Sequence, residues 1–199
     1  MAKERVLLTG ASGSMGGEAF KELLRRKDKY DIVLLLRPSG KNKRAFKKYE
    51  GQEGVEIVWG DLANLDDVLK AVNGVDAVLH PAAFIAPAAD YDPPQTRKSN
   101  LVGTTNVVEA IKRQPDDGNN IRLVSICSIA AYGGDRLPPA HWIRVGDPLV
   151  PSVGDYYAIT KIAAERAVIE SGLKYWASFR QTFSCNLVSE TPPTFLPST

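Results

Sequence analysis

The stretch VLLTGASGSMGGEAF, residues 6–20, decides the fold. Its first four residues are apolar or β-branched and read as the end of a strand. Four glycines follow between Gly10 and Gly17, after which Gly16, Phe20, Leu23 and Leu24 fall on one stripe of a helix. Gly10, Gly13 and Gly16 spell GxxGxxG across the junction. A strand that turns through glycine into a helix uses residues without side chains for a tight turn, for approach of backbone to a diphosphate, and for close packing of helix on strand. The first N–H groups of the helix lack partners within it and suit an anion. Ser12 and Ser14 add hydroxyl donors. A purely structural turn would use the same glycines, and the spacing differs by one residue from GxGxxG.

Outward from this stretch, apolar runs recur: RVLLT (5–9), DIVLLL (31–36), VEIVW (55–59), DAVLH (76–80), IRLVSIC (121–127) and YWASF (175–179). Near-continuous apolar character is expected of strands covered on both faces. Helical patterns lie between them. NLDDVLKAV opens on Asn64 as an N-cap with Asp67 three residues later, a second helix runs from about residue 97 to 113, and a third from 156 to 171 with Asp155 as cap and Gly172 as stop. Alternating strands and helices predict an α/β fold with a doubly wound parallel sheet, Rossmann-type in its opening turn. Two Pro- and Gly-rich connections, 81–95 and 133–155, follow strands at the end of the sheet where such folds bind ligands.

Bulk properties exclude several classes. With 199 residues, 44% hydrophobic and 24% charged, the chain fits one domain, and a net charge of +2 provides no broad field for nucleic acid or an anionic membrane. No apolar run approaches the roughly 20 residues of a membrane span. The chain enters its first strand without a signal-peptide pattern, so a cytoplasmic address is expected. Cys127, Cys185, His80 and His141 form no close ligand pair, and no metal site is expected. Cys127, His80 and Trp59 read as core residues; His141 and Trp142, in the second long connection, are candidates for substrate contact. A domain over 1–183 is expected, with 184–199 as an irregular tail, since nine of its sixteen residues are Ser, Thr or Pro.

TGASGSMG (9–16) resembles the nucleotide loop of the short-chain dehydrogenase/reductase superfamily, in particular its extended branch, the NAD-dependent epimerase/dehydratase family. Further motifs follow in that family's order: GDL (60–62), HPAA (80–83), NLVGT (100–104), SIAAYG (128–133) and YAITK (157–161). The resemblance covers residues 6–183. It implies that Gly10, Ser12, Gly13, Ser14, Met15 and Gly16 hold the cofactor's diphosphate. It likewise implies that Asp61, with Leu62, meets the adenine, and that Ala82 and Ala83 line the cofactor. Asp61 would otherwise be a helix cap, a position Asn64 already fills. Extended members continue past the sixth strand into a smaller region that completes the substrate pocket; against that pattern, residues 184–199 read as truncated or aberrant.

Tyr157 and Lys161 stand four residues apart, which on a helix stacks them on one face. An ammonium beside a phenol favours the phenolate and would lower its pKa from about 10 toward a useful acid–base range. The resemblance makes Tyr157 the proton-exchanging group, Lys161 also the ribose ligand, and Ser128 the hydroxyl that orients the reacting oxygen. Ser125 competes with Ser128 but lies inside its strand, and Tyr156 has only Thr160 four residues on. Asn100 is expected either beneath the site, with a catalytic part, or as a solvated helix residue.

An acid that would bind the ribose hydroxyl of NAD is absent after the second strand; Arg37 stands there, followed by Ser39, Lys41, Lys43 and Arg44. This cluster suits the additional phosphate of NADP, with NAD the alternative and a solvated cationic helix the structural reading. The sequence therefore predicts an NAD(P)-dependent oxidoreductase or epimerase/dehydratase acting at a hydroxyl or carbonyl carbon of a nucleotide sugar or similar small molecule. Two-fold association is common in the family. The competing reading is a non-catalytic NAD(P)-binding module, a redox sensor or inactive fragment.

Overall fold

A computed structural model describes residues 2–133, 142–144 and 146–182. Six strands form one parallel sheet: β1 (Glu4–Thr9), β2 (Tyr30–Leu36), β3 (Val55–Trp59), β4 (Ala77–His80), β5 (Arg122–Ser128) and β6 (Tyr175–Gln181), in the order β3-β2-β1-β4-β5-β6. The chain builds outward from β1 to β3, crosses to the other side of β1, and builds outward again. The reversal leaves a crevice beyond the C-terminal ends of β1 and β4, where open α/β sheets bind ligands. The glycine turn and Ala82 both lie at this switch point.

Alternation along the strands sorts the core into two layers. Val6 and Leu8 of β1, with Ile32, Leu34 and Leu36 of β2, pack against Phe20 and Leu23 of α1 (Ser14–Arg25) and Phe46 of α2 (Gly40–Phe46). Leu7, Val33 and Leu35 point the other way. They meet Val68 and Val72 of α3 (Leu65–Val72) and Val107 and Ile111 of α6 (Gly103–Lys112). Both faces are covered, which is why β1 and β2 carry unbroken apolar runs.

The segment before α6 departs from expectation. Residues 88–96 are not loop throughout: short helices α4 (Ala88–Tyr91) and α5 (Pro93–Thr96) precede a wide π turn, Arg97–Val102. Asp92 accepts the Gln95 N–H at 3.0 Å and Pro93 occupies the first helical position, where its missing N–H costs nothing. α7 (Tyr156–Ile169) starts as anticipated, with the Asp155 carboxylate accepting the Ala158 N–H at 2.7 Å. α3 is capped by Asn64, yet Asp67 does not close a capping box; its carboxylate accepts the Asp61 N–H at 3.1 Å. No helix among the described residues is long and apolar enough to cross a membrane. His141 and the tail 184–199 lie outside the described residues, and Trp142 is exposed.

Candidate active site

The glycine turn divides its tasks unequally. Gly10 has φ +66°, and a Cβ there would lie 2.8 Å from the Ala82 Cα; a Cβ on Gly16 would lie 2.1 Å from the Gly10 carbonyl oxygen. These two glycines press the turn against β4 and α1 against β1. Gly13 is the N-cap of α1 and offers it no side-chain cap, so the first amides of the helix remain for an outside acceptor. Ser12, Gly13 and Ser14 are exposed at this point, with Met15 half-buried behind them.

Asp61 is half-buried after β3 and uses one carboxylate oxygen to accept the Ala63 N–H at 2.9 Å. Leu62 is held from behind: its carbonyl accepts from the Asn106 amide at 2.8 Å, and Gly103 leaves room for its side chain. Past β2, Arg37 is exposed and its carbonyl accepts from the Asn42 amide at 2.9 Å. Ser39 is committed to capping α2, its hydroxyl accepting the Asn42 N–H at 3.1 Å. Arg37, Lys41, Lys43 and Arg44 have no carboxylate partner among the described residues.

Ser128 ends β5 and Tyr157 lies in the first turn of α7, with the Ser128 hydroxyl close enough to the phenol to favour its ionised form. Ser128 also accepts the Ala130 N–H at 3.2 Å, which fixes its direction. Ser125 is buried inside the strand, and Tyr156 is 42% exposed. Lys161, one turn beyond Tyr157, is only 4% exposed. Its ammonium makes no hydrogen bond among the described residues, although every fully buried side-chain nitrogen and oxygen there has a partner. The tip of Lys161 therefore reaches an opening while its stem is buried.

Burial governs the site's proton chemistry. It pushes the Tyr157 phenol above its ordinary value, outweighing the lowering by the Ser128 hydroxyl, with Cys127 and Asp155 adding to the rise. The expected lowering by Lys161 is thus not met: the ammonium is not among the groups that shift the phenol, and desolvation of the phenolate governs it. Burial also pulls Lys161 down, opposed by Cys127 and Glu165. The chain's own groups leave Tyr157 a proton donor at neutral pH.

Asn100 is 1% exposed and lies in the π turn, beneath the site and not in solvent. Its amide oxygen accepts the Phe84 N–H at 2.7 Å; its nitrogen donates to the Phe84 carbonyl at 2.9 Å and to Thr160 at 3.1 Å. With its amide so engaged, Asn100 acts by positioning the 81–87 segment against α7. Ala82 and Ala83, half-buried, belong to that segment.

Sequence reading missed a second anchor. Glu165, 5% exposed, takes a bidentate pair from Arg180 of β6 (2.9 Å for the shorter Nε contact) and a hydrogen bond from Ser178 at 2.8 Å. Arg180 also donates to the Tyr132 hydroxyl in the turn that Ser128 begins. The spacing of Glu165, four residues after Lys161, was the signal in the sequence. A hollow of about 570 Å³ beside α5 and α7 is lined by none of the candidate residues.

A parallel sheet reversing at β1 and β4, with a glycine turn at the reversal, defines a Rossmann-type fold. The chain belongs to the NAD-dependent epimerase/dehydratase family, whose model matches residues 6–198. It is 32% identical over 172 residues to a 2-alkyl-3-oxoalkanoate reductase of Stenotrophomonas maltophilia, covering 83% of this chain and 46% of that protein. To a dTDP-glucose 4,6-dehydratase of Mycobacterium tuberculosis it is 28% identical, covering 82% and 47%. Among solved structures, the Bordetella bronchiseptica enzyme WbmH in complex with NAD+ superposes with a TM-score of 0.72 at 27% identity, over 90% of this chain and 55% of that one. The Thermus thermophilus UDP-glucose 4-epimerase in complex with NAD gives 0.70 at 26%, over 88% and 54%. The chain spans about half the length of the curated relatives it matches.

Proposed function

We propose that the chain supplies the dinucleotide-binding and proton-transfer apparatus of an oxidoreductase or epimerase/dehydratase acting at a hydroxyl or carbonyl carbon, a nucleotide sugar or similar small molecule being its substrate. The observation that carries this reading is the placement of the Ser128 hydroxyl beside the Tyr157 phenol, one helical turn from Lys161, whose buried stem ends in an ammonium with no hydrogen-bond partner among the described residues. A bound nicotinamide dinucleotide supplies hydride exchange with the reacting carbon. The amides opening α1 hold its diphosphate, and Lys161 holds its ribose. Ser128 donates to the substrate oxygen, and Tyr157 gives that oxygen its proton during reduction or takes it during oxidation. The fit rests on two features of the chain: an uncapped helix start behind Gly13, and the unpartnered Lys161 tip.

The phenol's raised pKa fixes the sign of the pH dependence. Below that pKa the phenolate fraction grows about tenfold per pH unit. Alcohol oxidation should therefore climb by about that factor per unit from pH 7 to 9, while carbonyl reduction stays flat. An oxidation rate already level at pH 7 would count against Tyr157 as the base.

For the choice of dinucleotide, the unpaired cations Arg37, Lys41, Lys43 and Arg44 favour NADP over NAD, the cofactor named with the solved relatives above. Arg37→Asp should weaken NADPH about tenfold or more, the scale of a lost charge-assisted hydrogen bond, and leave NADH nearly unchanged. Equal losses for both would remove the phosphate assignment.

A further inference from the structure

Behind the glycine turn, five buried side chains with hydroxyl, imidazole or amide groups are linked in series, once through a main-chain carbonyl, and the reaction described above does not use the series. Thr9, the last residue of β1, meets His80 Nδ1 at 2.8 Å; His80, the last residue of β4, meets the Thr104 hydroxyl through Nε2 at 3.0 Å. Thr104, in α6, donates to the main-chain carbonyl of Asn100 at 2.7 Å. The Asn100 amide then reaches Thr160 of α7, whose hydroxyl donates to the Tyr156 and Tyr157 carbonyls at 2.9 and 3.0 Å. Thr9, His80, Asn100 and Thr104 are each no more than 1% exposed.

The direction of the bonds follows from the one group that can act in one way only. The Asn100 carbonyl only accepts, so the Thr104 proton points at it, and the Thr104 oxygen must take a proton from His80 Nε2. A neutral imidazole protonated on Nε2 leaves Nδ1 bare, so the Thr9 proton is directed to Nδ1. The Thr9 oxygen stays open to the Ala82 N–H, which reaches it at 3.4 Å. The Thr104 end thus sets the tautomer, and the Thr9 end accommodates it. Protonating Nδ1 as well would take from the Thr9 proton its acceptor and add a second charge near Lys161. Burial, reinforced by Lys161, accordingly pushes the imidazole's pKa down to about 3.

We propose that His80, as its Nε2–H tautomer, is a positioning residue that fixes the glycine turn relative to the helix carrying Tyr157 and Lys161. The turn feels it through Thr9 and through Ala82, on which Gly10 is packed without room for a Cβ. The catalytic helix feels it through Asn100 and Thr160. His80 touches no reacting atom; its effect is transmitted.

Two measurements on the full chain test this. Nitrogen-15 NMR of the histidine rings, with His141→Asn to assign the signals, should find His80 in the Nε2–H form and untitrated from pH 8 to 5. An Nδ1–H form, or a titration near pH 6.5, overturns the proposal whether or not a dinucleotide binds. The second measurement rests on the cofactor reading. Thr104→Val lies remote from the cleft but leaves Nε2–H without an acceptor, and should raise the NADPH dissociation constant several-fold, whereas Thr104→Ser restores it. Thr104→Val binding as tightly as the parent, or Thr104→Ser losing as much as Thr104→Val, contradicts the proposal. Failure of the parent to bind NADPH or NADH refutes the cofactor reading, and the tautomer then decides the proposal.

Discussion

Tyr157→Phe should reduce carbonyl-dependent NADPH oxidation by about 10²–10⁴-fold, the range for loss of a positioned acid or base, while dinucleotide affinity stays close to the parent's. The substitution removes one oxygen and leaves the ring in place. It deletes the hydroxyl beside Ser128 and disturbs neither the Asp155 cap nor Lys161 one turn further on. Steady-state rates paired with an equilibrium titration separate the two effects. A variant that keeps its rate would show that the proton travels by another group; one that loses affinity in step with rate would make the phenol a binding residue.

The second large effect is expected at Gly16. Its Cβ would lie 2.1 Å from the Gly10 oxygen and 2.9 Å from the Ala11 nitrogen, both backbone atoms that no rotamer change can clear. Gly16→Ala must lift α1 from β1 or open the turn. Overpacking of this kind costs about 1–3 kcal/mol, and the displaced amides should weaken dinucleotide binding about tenfold or more. Gly17→Ala is the control, because its Cβ would make an ordinary 3.5 Å contact with the Ala11 oxygen. That variant should bind as the parent does and gain up to about 1 kcal/mol of helix stability. Thermal unfolding and titration of the pair distinguish crowding of the turn from a general intolerance of alanine.

The six strands were legible because each is a short run rich in apolar residues, β1 and β2 being covered on both faces, and their observed bounds differ from the sequence reading by two residues or fewer. The caps of α3 and α7 were legible for a local reason: Asn64 and Asp155 bond amides two and three residues away. The start of the α5 segment was hidden by Pro93 and Pro94, which read as loop although an aspartate before proline is also a helix opening. What the sequence withheld is long-range. Thr9 and His80 are 71 residues apart, and a histidine ending an apolar strand gives no hint of which hydroxyls flank it. Glu165 and Arg180 meet only because β6 lies beside β5 under α7. The phenol's upward shift was likewise invisible, since spacing reports the ammonium four residues away and says nothing of burial.

Calorimetric titration of the 199-residue chain with NADPH and NADH bears most directly on the central claim that the α1 amides and Lys161 seat a dinucleotide. One saturable site is predicted, strong in the parent and in Gly17→Ala, and weakened about tenfold or more in Gly16→Ala. No heat with either nucleotide, or equal binding by all three proteins, would contradict it.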